Sequence, residues 1–175
     1  MPKLDKSLIK SASKGAEEIL LTQIKQEFTT PAGAIFDYLE LVEKNINDAK
    51  LNASEELSQI KAGGERLIQE YELAFKENTG PNATNQQKTP EEYSELRHNL
   101  RTPLNAIIGY SEILMEDLEK ELSKETAADL QSIIGLSRET EKAIEKFVDY
   151  IRGVALEDDK HGVISQVESA EALFK

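Results

Sequence analysis

The chain has 175 residues, of which 39% are apolar and 6% aromatic, with no cysteine and no tryptophan. Its 33 acidic residues outnumber the 21 basic ones, and the net charge of −12 disfavours binding to nucleic acid or to an anionic membrane surface. The lack of cysteine excludes disulfides and zinc–cysteine sites, and no apolar run approaches the roughly 18 residues that cross a bilayer. We therefore expect amphipathic helices that each bury one stripe, in a cytoplasmic protein of one domain or two small ones.

The first part of the chain, residues 1–77, is predicted to form a helical hairpin. Between residues 24 and 46 the apolar residues recur at steps of three, four and seven, which is the spacing of a helix with one narrow buried seam. A polar break follows, and a second run with the same spacing extends from Leu57 to Phe75. Residues 78–89 have no apolar periodicity and are predicted to be a flexible linker.

The second part, residues 90–156, has the same organisation. Thr89 is suited to be the N-cap of its first helix, with Pro90 at the first helical position and Glu92 closing a capping box. The returning helix has Ser123 as its candidate N-cap. After residue 156 the pattern weakens, so residues 157–175 are predicted to be a tail or a tether. His161 in this acidic tail is interpreted as a solvated residue and not as a metal ligand.

The two hairpins repeat each other, because residues 96–114 match residues 24–42 at an offset of 72. Six identities recur at that offset: Thr30/Thr102, Pro31/Pro103, Ala34/Ala106, Ile35/Ile107, Tyr38/Tyr110 and Glu40/Glu112. The spacing places both prolines inside helices, where each should cost roughly 3 kcal/mol and bend the axis. His98 does not recur, since Gln26 stands at its place in the first hairpin.

His98 is predicted to point into solvent. Helical geometry puts it about 200° from the apolar positions two residues before and after it. Arg101, Thr102 and Asn105 follow at i+3, i+4 and i+7 and share its face. A neutral imidazole nitrogen can attack phosphorus, a guanidinium can pair with phosphoryl oxygens, and a hydroxyl can orient water. We predict that these four residues form a site for phosphoryl transfer, with no metal and no bound cofactor.

The segment 96–112, LRHNLRTPLNAIIGYSE, closely resembles the phosphoacceptor box of sensor histidine kinases, and residues 60–68, IKAGGERLI, resemble the second helix of the same domain. The resemblance implies that His98 is the phosphorylated residue and that Thr102 belongs to a phosphatase-type arrangement. It also implies a four-helix bundle that docks receiver domains. Asn99 departs from the family, because an acidic residue normally follows the histidine, and nothing in the chain resembles the family's ATP-binding domain.

The predicted fold is therefore all-α, with two antiparallel helical hairpins that form a four-helix bundle either within the chain or by dimerisation. The leading functional hypothesis is a two-component signalling module. In it His98 accepts a phosphoryl group from a response-regulator receiver domain, or passes one to it, without an ATP-binding domain of its own. The alternative is a docking scaffold that regulates a receiver or output domain without phosphotransfer. A third interpretation, one piece of a longer sensor, leaves the role of His98 open.

Overall fold

Four α-helices make up the computed structural model, which describes residues 6–79 and 88–153. They are α1 (Lys6–Asp48), α2 (Ser54–Thr79), α3 (Pro90–Asp117) and α4 (Lys124–Ile151), and no strand occurs in these two ranges. The all-α prediction is confirmed. Helix α2 extends through Thr79, so the start of the predicted linker is helical. The rest of the linker before residue 88, the predicted tail from residue 157 and His161 lie outside the described residues.

The four helices close into a bundle within one chain. Helix α1 packs against α2 and α4, and helix α3 also packs against α2 and α4. The most extensive contacts are between hairpins, α1 with α4 and α2 with α3. The buried seams of the two hairpins therefore cover each other, which is the intrachain form of the predicted bundle.

Burial in the first hairpin is repeated in the second. Positions on α1 and α3 correspond at the offset of 72, and the buried pairs are Phe28/Leu100, Pro31/Pro103, Ile35/Ile107 and Val42/Leu114. Positions on α2 and α4 correspond at an offset of 70, with the buried pairs Ile60/Leu130, Gly63/Ile133, Leu67/Ser137 and Ala74/Ile144. The two hairpins therefore contribute corresponding buried residues to one interior, although α3 and α4 are in more extensive contact with each other than α1 and α2 are.

Both prolines lie inside helices, as the periodicity predicts. Pro31 is a buried interior residue of α1, and Pro103 is a buried interior residue of α3. Because proline has no N–H, it cannot donate to the carbonyl four residues earlier, which belongs to Glu27 in α1 and to Asn99 in α3. The turn that carries His98 therefore lacks one of its regular helical hydrogen bonds.

The predicted caps of the second hairpin are confirmed. The Thr89 hydroxyl accepts a hydrogen bond from the Glu92 backbone N–H at 3.2 Å, and the Glu92 carboxylate accepts one from the Thr89 N–H at 3.0 Å. Pro90 occupies the first turn. The Ser123 hydroxyl accepts from the Thr126 N–H at 3.1 Å. These bonds satisfy backbone donors that a helix N-terminus otherwise leaves free.

Two consecutive glycines let α2 approach both of its neighbours. A Cβ atom on Gly63 would lie 3.0 Å from the Pro103 carbonyl oxygen and 3.1 Å from the Ile107 side chain. A Cβ atom on Gly64 would lie 2.8 Å from the Phe36 ring. Close helix packing thus explains Gly63 and Gly64, and Gly63 sets how closely the first hairpin lies on α3.

An aromatic cluster fills the bundle between α1, α2 and α4. The rings of Phe28 and Tyr71 stack with centroids 3.5 Å apart, and Phe147 lies 5.0 Å from Tyr71. Tyr71 is fully buried, and its hydroxyl finds no hydrogen-bond partner among the described residues. Burial, and secondarily the charge of Glu27, raises the pKa of the Tyr71 phenol well above its ordinary value.

We predict opposite effects of alanine at two helical glycines. Gly135→Ala should stabilise the fold by about 1 kcal/mol, because a Cβ there meets nothing within 4 Å and alanine favours the helix. Gly63→Ala should destabilise it by about 1 kcal/mol, because the rigid Pro103 carbonyl must move. Urea unfolding followed by circular dichroism measures both. A Gly63→Ala protein as stable as Gly135→Ala would show that α2 and α3 are not in tight contact.

We also predict that Tyr71→Phe stabilises the protein by about 1 kcal/mol, because it removes a buried hydroxyl with no partner. Tyr93→Phe is the matched control, since the Tyr93 hydroxyl donates to the Ile151 carbonyl at 3.3 Å. It should destabilise by about 1 kcal/mol. The raised pKa of Tyr71 means that wild-type stability is fully present below pH 10, the ordinary tyrosine value, and falls above it. Tyr71→Phe should reduce this alkaline loss, and an unchanged or lower stability at neutral pH would contradict the prediction.

Candidate functional site

An outward-facing row of residues runs along α3. His98, Thr102 and Asn105 are exposed, and Leu100, Leu104 and Ile107 on the opposite side are at most 1% exposed. The exposure predicted from the periodicity is therefore confirmed for three of the four candidate site residues. At the helical repeat the same row continues through Gly109 to Ile113, which is 42% exposed. We call these residues the α3 row: His98, Thr102, Asn105, Gly109 and Ile113.

The Thr102 side chain is fixed against the turn of His98. Its hydroxyl donates a hydrogen bond to the His98 backbone carbonyl at 2.8 Å. The hydroxyl proton is thus engaged, and the oxygen lone pairs remain open to solvent as acceptors. This bond holds the hydroxyl one turn from the imidazole, on the turn where Pro103 removes a backbone hydrogen bond.

Arg101 differs from the other candidate residues, because it is half-buried between α3 and α4. Its Nη2 atom lies 2.5 Å from Glu145 Oε1, and its Nε atom lies 3.6 Å from Glu141 Oε1. Arg97, one turn earlier, places its Nε atom 3.2 Å from the other Glu145 oxygen. We call these four residues the Arg–Glu cluster. The guanidinium that the sequence assigned to a phosphoryl group is therefore engaged by two carboxylates of the neighbouring helix.

The Arg–Glu cluster is held by charge more than by aligned hydrogen bonds. The Nε atoms of Arg97 and Arg101 and the Oε1 atom of Glu145 are shielded from solvent, and none makes a well-aligned hydrogen bond within the described residues. The side chains are 27–38% exposed, so each pair is expected to contribute less than about 1 kcal/mol.

Sequence reasoning missed Glu141 and Glu145. A weak signal was present, because two acidic residues four apart on a helix repel each other by roughly 0.2–0.5 kcal/mol, which a nearby cation relieves. That signal does not identify the cation. Only the packing of α4 on α3 brings Arg97 and Arg101 to these carboxylates.

The first hairpin has no Arg–Glu cluster. At the corresponding positions it has Lys25 for Arg97, Thr29 for Arg101, Tyr71 for Glu141 and Phe75 for Glu145. The Lys25 ammonium lies 5.2 Å from the centre of the Phe75 ring, an attraction between a cation and an aromatic face. Gln26 and Thr30 are exposed where His98 and Thr102 are exposed in the second hairpin.

The position after the histidine also differs between the hairpins. Asn99 occupies it in the second hairpin, and Glu27 occupies it in the first. Glu27 accepts a hydrogen bond from the Lys146 ammonium at 3.1 Å, which links α1 to α4. The acidic residue that the histidine kinase resemblance leads us to expect is thus in the hairpin that has no histidine. Neither hairpin has both.

Two further features of the described residues bear on the kind of site. Within residues 6–79 and 88–153, no group of three or more histidine, aspartate or glutamate side chains is placed to hold a metal ion. None of the helices in the same ranges is both long enough and apolar enough to span a bilayer.

Comparison with known proteins identifies the second hairpin. Residues 92–154 match the family described as the His Kinase A (phospho-acceptor) domain. Over 100 residues the chain is 34% identical to the Non-motile and phage-resistance protein of Caulobacter vibrioides, an alignment that covers 55% of this chain. The chain spans only 12% of that protein's length. No solved structure matches the chain.

Helices α3 and α4 form a helical hairpin on which His98 is exposed, and the matched residues 92–154 cover most of this hairpin. Residues 92–154 are a His Kinase A domain of the phosphoacceptor and dimerisation type. The chain therefore has the phosphoacceptor and dimerisation element of two-component signalling.

Proposed function

We propose that the protein passes phosphoryl groups between His98 and the aspartate of a response-regulator receiver domain, in the cytoplasm. The observation that carries this proposal is the exposure of His98 on the outer face of α3, inside the matched domain. Thr102 and Asn105 follow it along the same face. A receiver can reach the imidazole from solvent without any opening of the bundle.

The proposed step conserves atoms and charge. A neutral ring nitrogen of His98 attacks the phosphorus of an aspartyl phosphate on the receiver. The new P–N bond forms as the acyl phosphate P–O bond breaks, the aspartate leaves as a carboxylate, and the ring proton passes to solvent. The reverse reaction loads the receiver from His98. Position and exposure are what the protein must supply for this exchange.

Transfer fits the residues beside His98 better than autonomous phosphorylation from ATP. Asn99 can donate and accept hydrogen bonds, but it cannot take up a proton as a carboxylate does. The acidic counterpart, Glu27, belongs to the other hairpin and is paired with Lys146. A phosphoryl donor that brings its own charged groups, such as a receiver, avoids this deficiency.

We further propose that the first hairpin takes the place of a second subunit. Its helices occupy two of the four positions of the bundle, and they pack on α3 and α4. The bundle then has one acceptor histidine, with Gln26 at the corresponding position. A homodimer is the alternative arrangement, in which each hairpin pairs with its counterpart in a second chain.

A docking scaffold is the second candidate function. Asn99 beside His98 and Gln26 in the first hairpin favour it, because both remove groups that phosphoryl chemistry uses in this family. A scaffold would bind a receiver or output domain on the same bundle, and His98 would never be modified.

The proposed function makes two predictions, of which the first concerns modification of His98. Protein recovered rapidly at alkaline pH from its host should have acid-labile phosphate on His98, found by mass spectrometry. His98→Gln, which reproduces the first hairpin, should remove it completely and change stability by less than about 0.5 kcal/mol, because the side chain is exposed. Thermal unfolding of both proteins is the control for folding. An absence of phosphohistidine in every growth condition, with His98→Gln signalling like wild type, supports the scaffold.

The second prediction concerns docking. Ile113 and Leu41 are exposed at corresponding positions, 42% and 49%, in the second and first hairpins. Ile113 lies on the α3 row, so Ile113→Asp should weaken binding of the receiver that exchanges phosphate with His98 by about tenfold, as loss of one well-buried apolar contact does. Leu41→Asp is the matched control and should bind like wild type in titration calorimetry. Equal weakening by the two variants would show that docking does not favour the hairpin that has the histidine.

A further inference from the structure

Arg101 is the arginine placed to meet a phosphoryl group on His98. Residues three apart on a helix are surface neighbours, so the Arg101 side chain leaves α3 beside the imidazole. A free guanidinium there would bind phosphoryl oxygens by charge-assisted hydrogen bonds. In the structure it instead contacts Glu145 at 2.5 Å and Glu141 at 3.6 Å.

A phosphoryl group on His98 would compete for Arg101 with two carboxylates of about the same total charge. A phosphoryl group has a charge of about −1.5 to −2 at pH 7, and the two carboxylates together have −2 when ionised. The carboxylates are already in contact with the guanidinium, and Glu145 is in turn held by Arg97 at 3.2 Å. A phosphoryl group on His98 would therefore have to displace Arg101 from an assembled cluster.

The Arg–Glu cluster is confined to the hairpin that has the histidine. The first hairpin has neither its arginines nor its carboxylates, and it joins α1 and α2 by Lys25 and Phe75 instead. The Arg–Glu cluster thus lies in the hairpin that has the histidine, and its member Arg101 follows His98 by three residues on α3.

We infer that Glu141 and Glu145 are positioning residues, which hold Arg101 away from His98 and so withhold its charge from a phosphoryl group on the imidazole. This inference rests on the proposed phosphotransfer function. A phosphohistidine without a compensating cation is less stable relative to the phosphoryl donor. The cluster therefore favours passage of the phosphoryl group to a receiver aspartate over storage on His98.

The first part of the test asks whether the carboxylates hold Arg101. The full-length protein is labelled with ¹⁵N, and the mobility of the Arg101 Nε–H group is measured by relaxation. The group should be ordered in wild type and mobile in the double variant E141Q/E145Q. Glu139→Gln is the matched control, because Glu139 lies on the same helix but lines the groove beside Gln26 on α1. An Arg101 group equally mobile in wild type and the double variant would overturn the inference.

The second part asks whether the charge is withheld. His98 is loaded with phosphoramidate: its ring nitrogen forms a bond to phosphorus, the donor P–N bond breaks, and the ring proton leaves with ammonia. Phosphorus NMR then gives the midpoint of the second phosphoryl ionisation, which a nearby cation lowers. The midpoint should be lower by about half a pH unit in E141Q/E145Q than in E141Q/E145Q/R101Q, because only the former has the Arg101 charge. This is the effect of a unit charge several ångströms away in water. In the wild-type background the same comparison should give a much smaller change.

Comparing R101Q in the two backgrounds is a double-mutant cycle. It separates the inference from the direct effects of removing two negative charges, because those effects are the same with and without Arg101. Equal effects of R101Q in the two backgrounds would leave the cluster as a simple link between α3 and α4 and would refute the inference. If neither phosphoramidate nor a phosphorylated receiver loads His98, the phosphotransfer function fails, and the charge-withholding role fails with it. The Nε–H relaxation then still decides whether the carboxylates hold the arginine.

Discussion

The close approach of α2 to α3 at Gly63 is the contact on which the rest of the bundle depends. At this point the two hairpins lie so near each other that a Cβ atom would press on the Pro103 carbonyl. Helix α3 is thereby held on one side by the first hairpin and on the other by the Arg–Glu cluster of α4. Because both sides are occupied, only the remaining face of α3 is open to solvent, and that face has His98.

The two hairpins resemble each other more in their buried residues than in the exposed residues around His98. Buried positions correspond at many steps of the helices, for example Phe28/Leu100 and Ile35/Ile107, although the buried Tyr71 corresponds to the half-exposed Glu141. The two hairpins differ at the exposed and half-exposed positions around His98. There a histidine in the second hairpin corresponds to a glutamine in the first, an asparagine to a glutamate, and the Arg–Glu cluster to a lysine and a phenylalanine. The four candidate site residues all lie on α3, in the second hairpin.

Helical periodicity was sufficient to predict the four helices and the exposure of His98, because both follow from spacing within one helix. It was not sufficient for Arg101, since Glu141 and Glu145 lie about 40 residues further along the chain and meet it only through the register of α3 against α4. The same limit applies to the Tyr71 hydroxyl, whose lack of a partner depends on three helices at once. Periodicity could not predict whether the bundle closes within one chain or between two chains, because the same helix faces are buried in both arrangements. The end of α2 was misjudged by two residues, where side-chain hydrogen bonds of Asn78 and Thr79 to the preceding turn accompany the last helical residues.

The charges around His98 bear on which groups would stabilise the phosphoryl oxygens and accept the ring proton. Asn99 contributes no charge, and the guanidinium of Arg101 is in contact with the carboxylate of Glu145. A reaction that transfers a dianionic group needs cations for the phosphoryl oxygens and a group to take the ring proton. In the proposed exchange these groups come from the partner and from solvent. In that proposal the bundle contributes an exposed ring nitrogen, and the partner supplies the remaining charged groups.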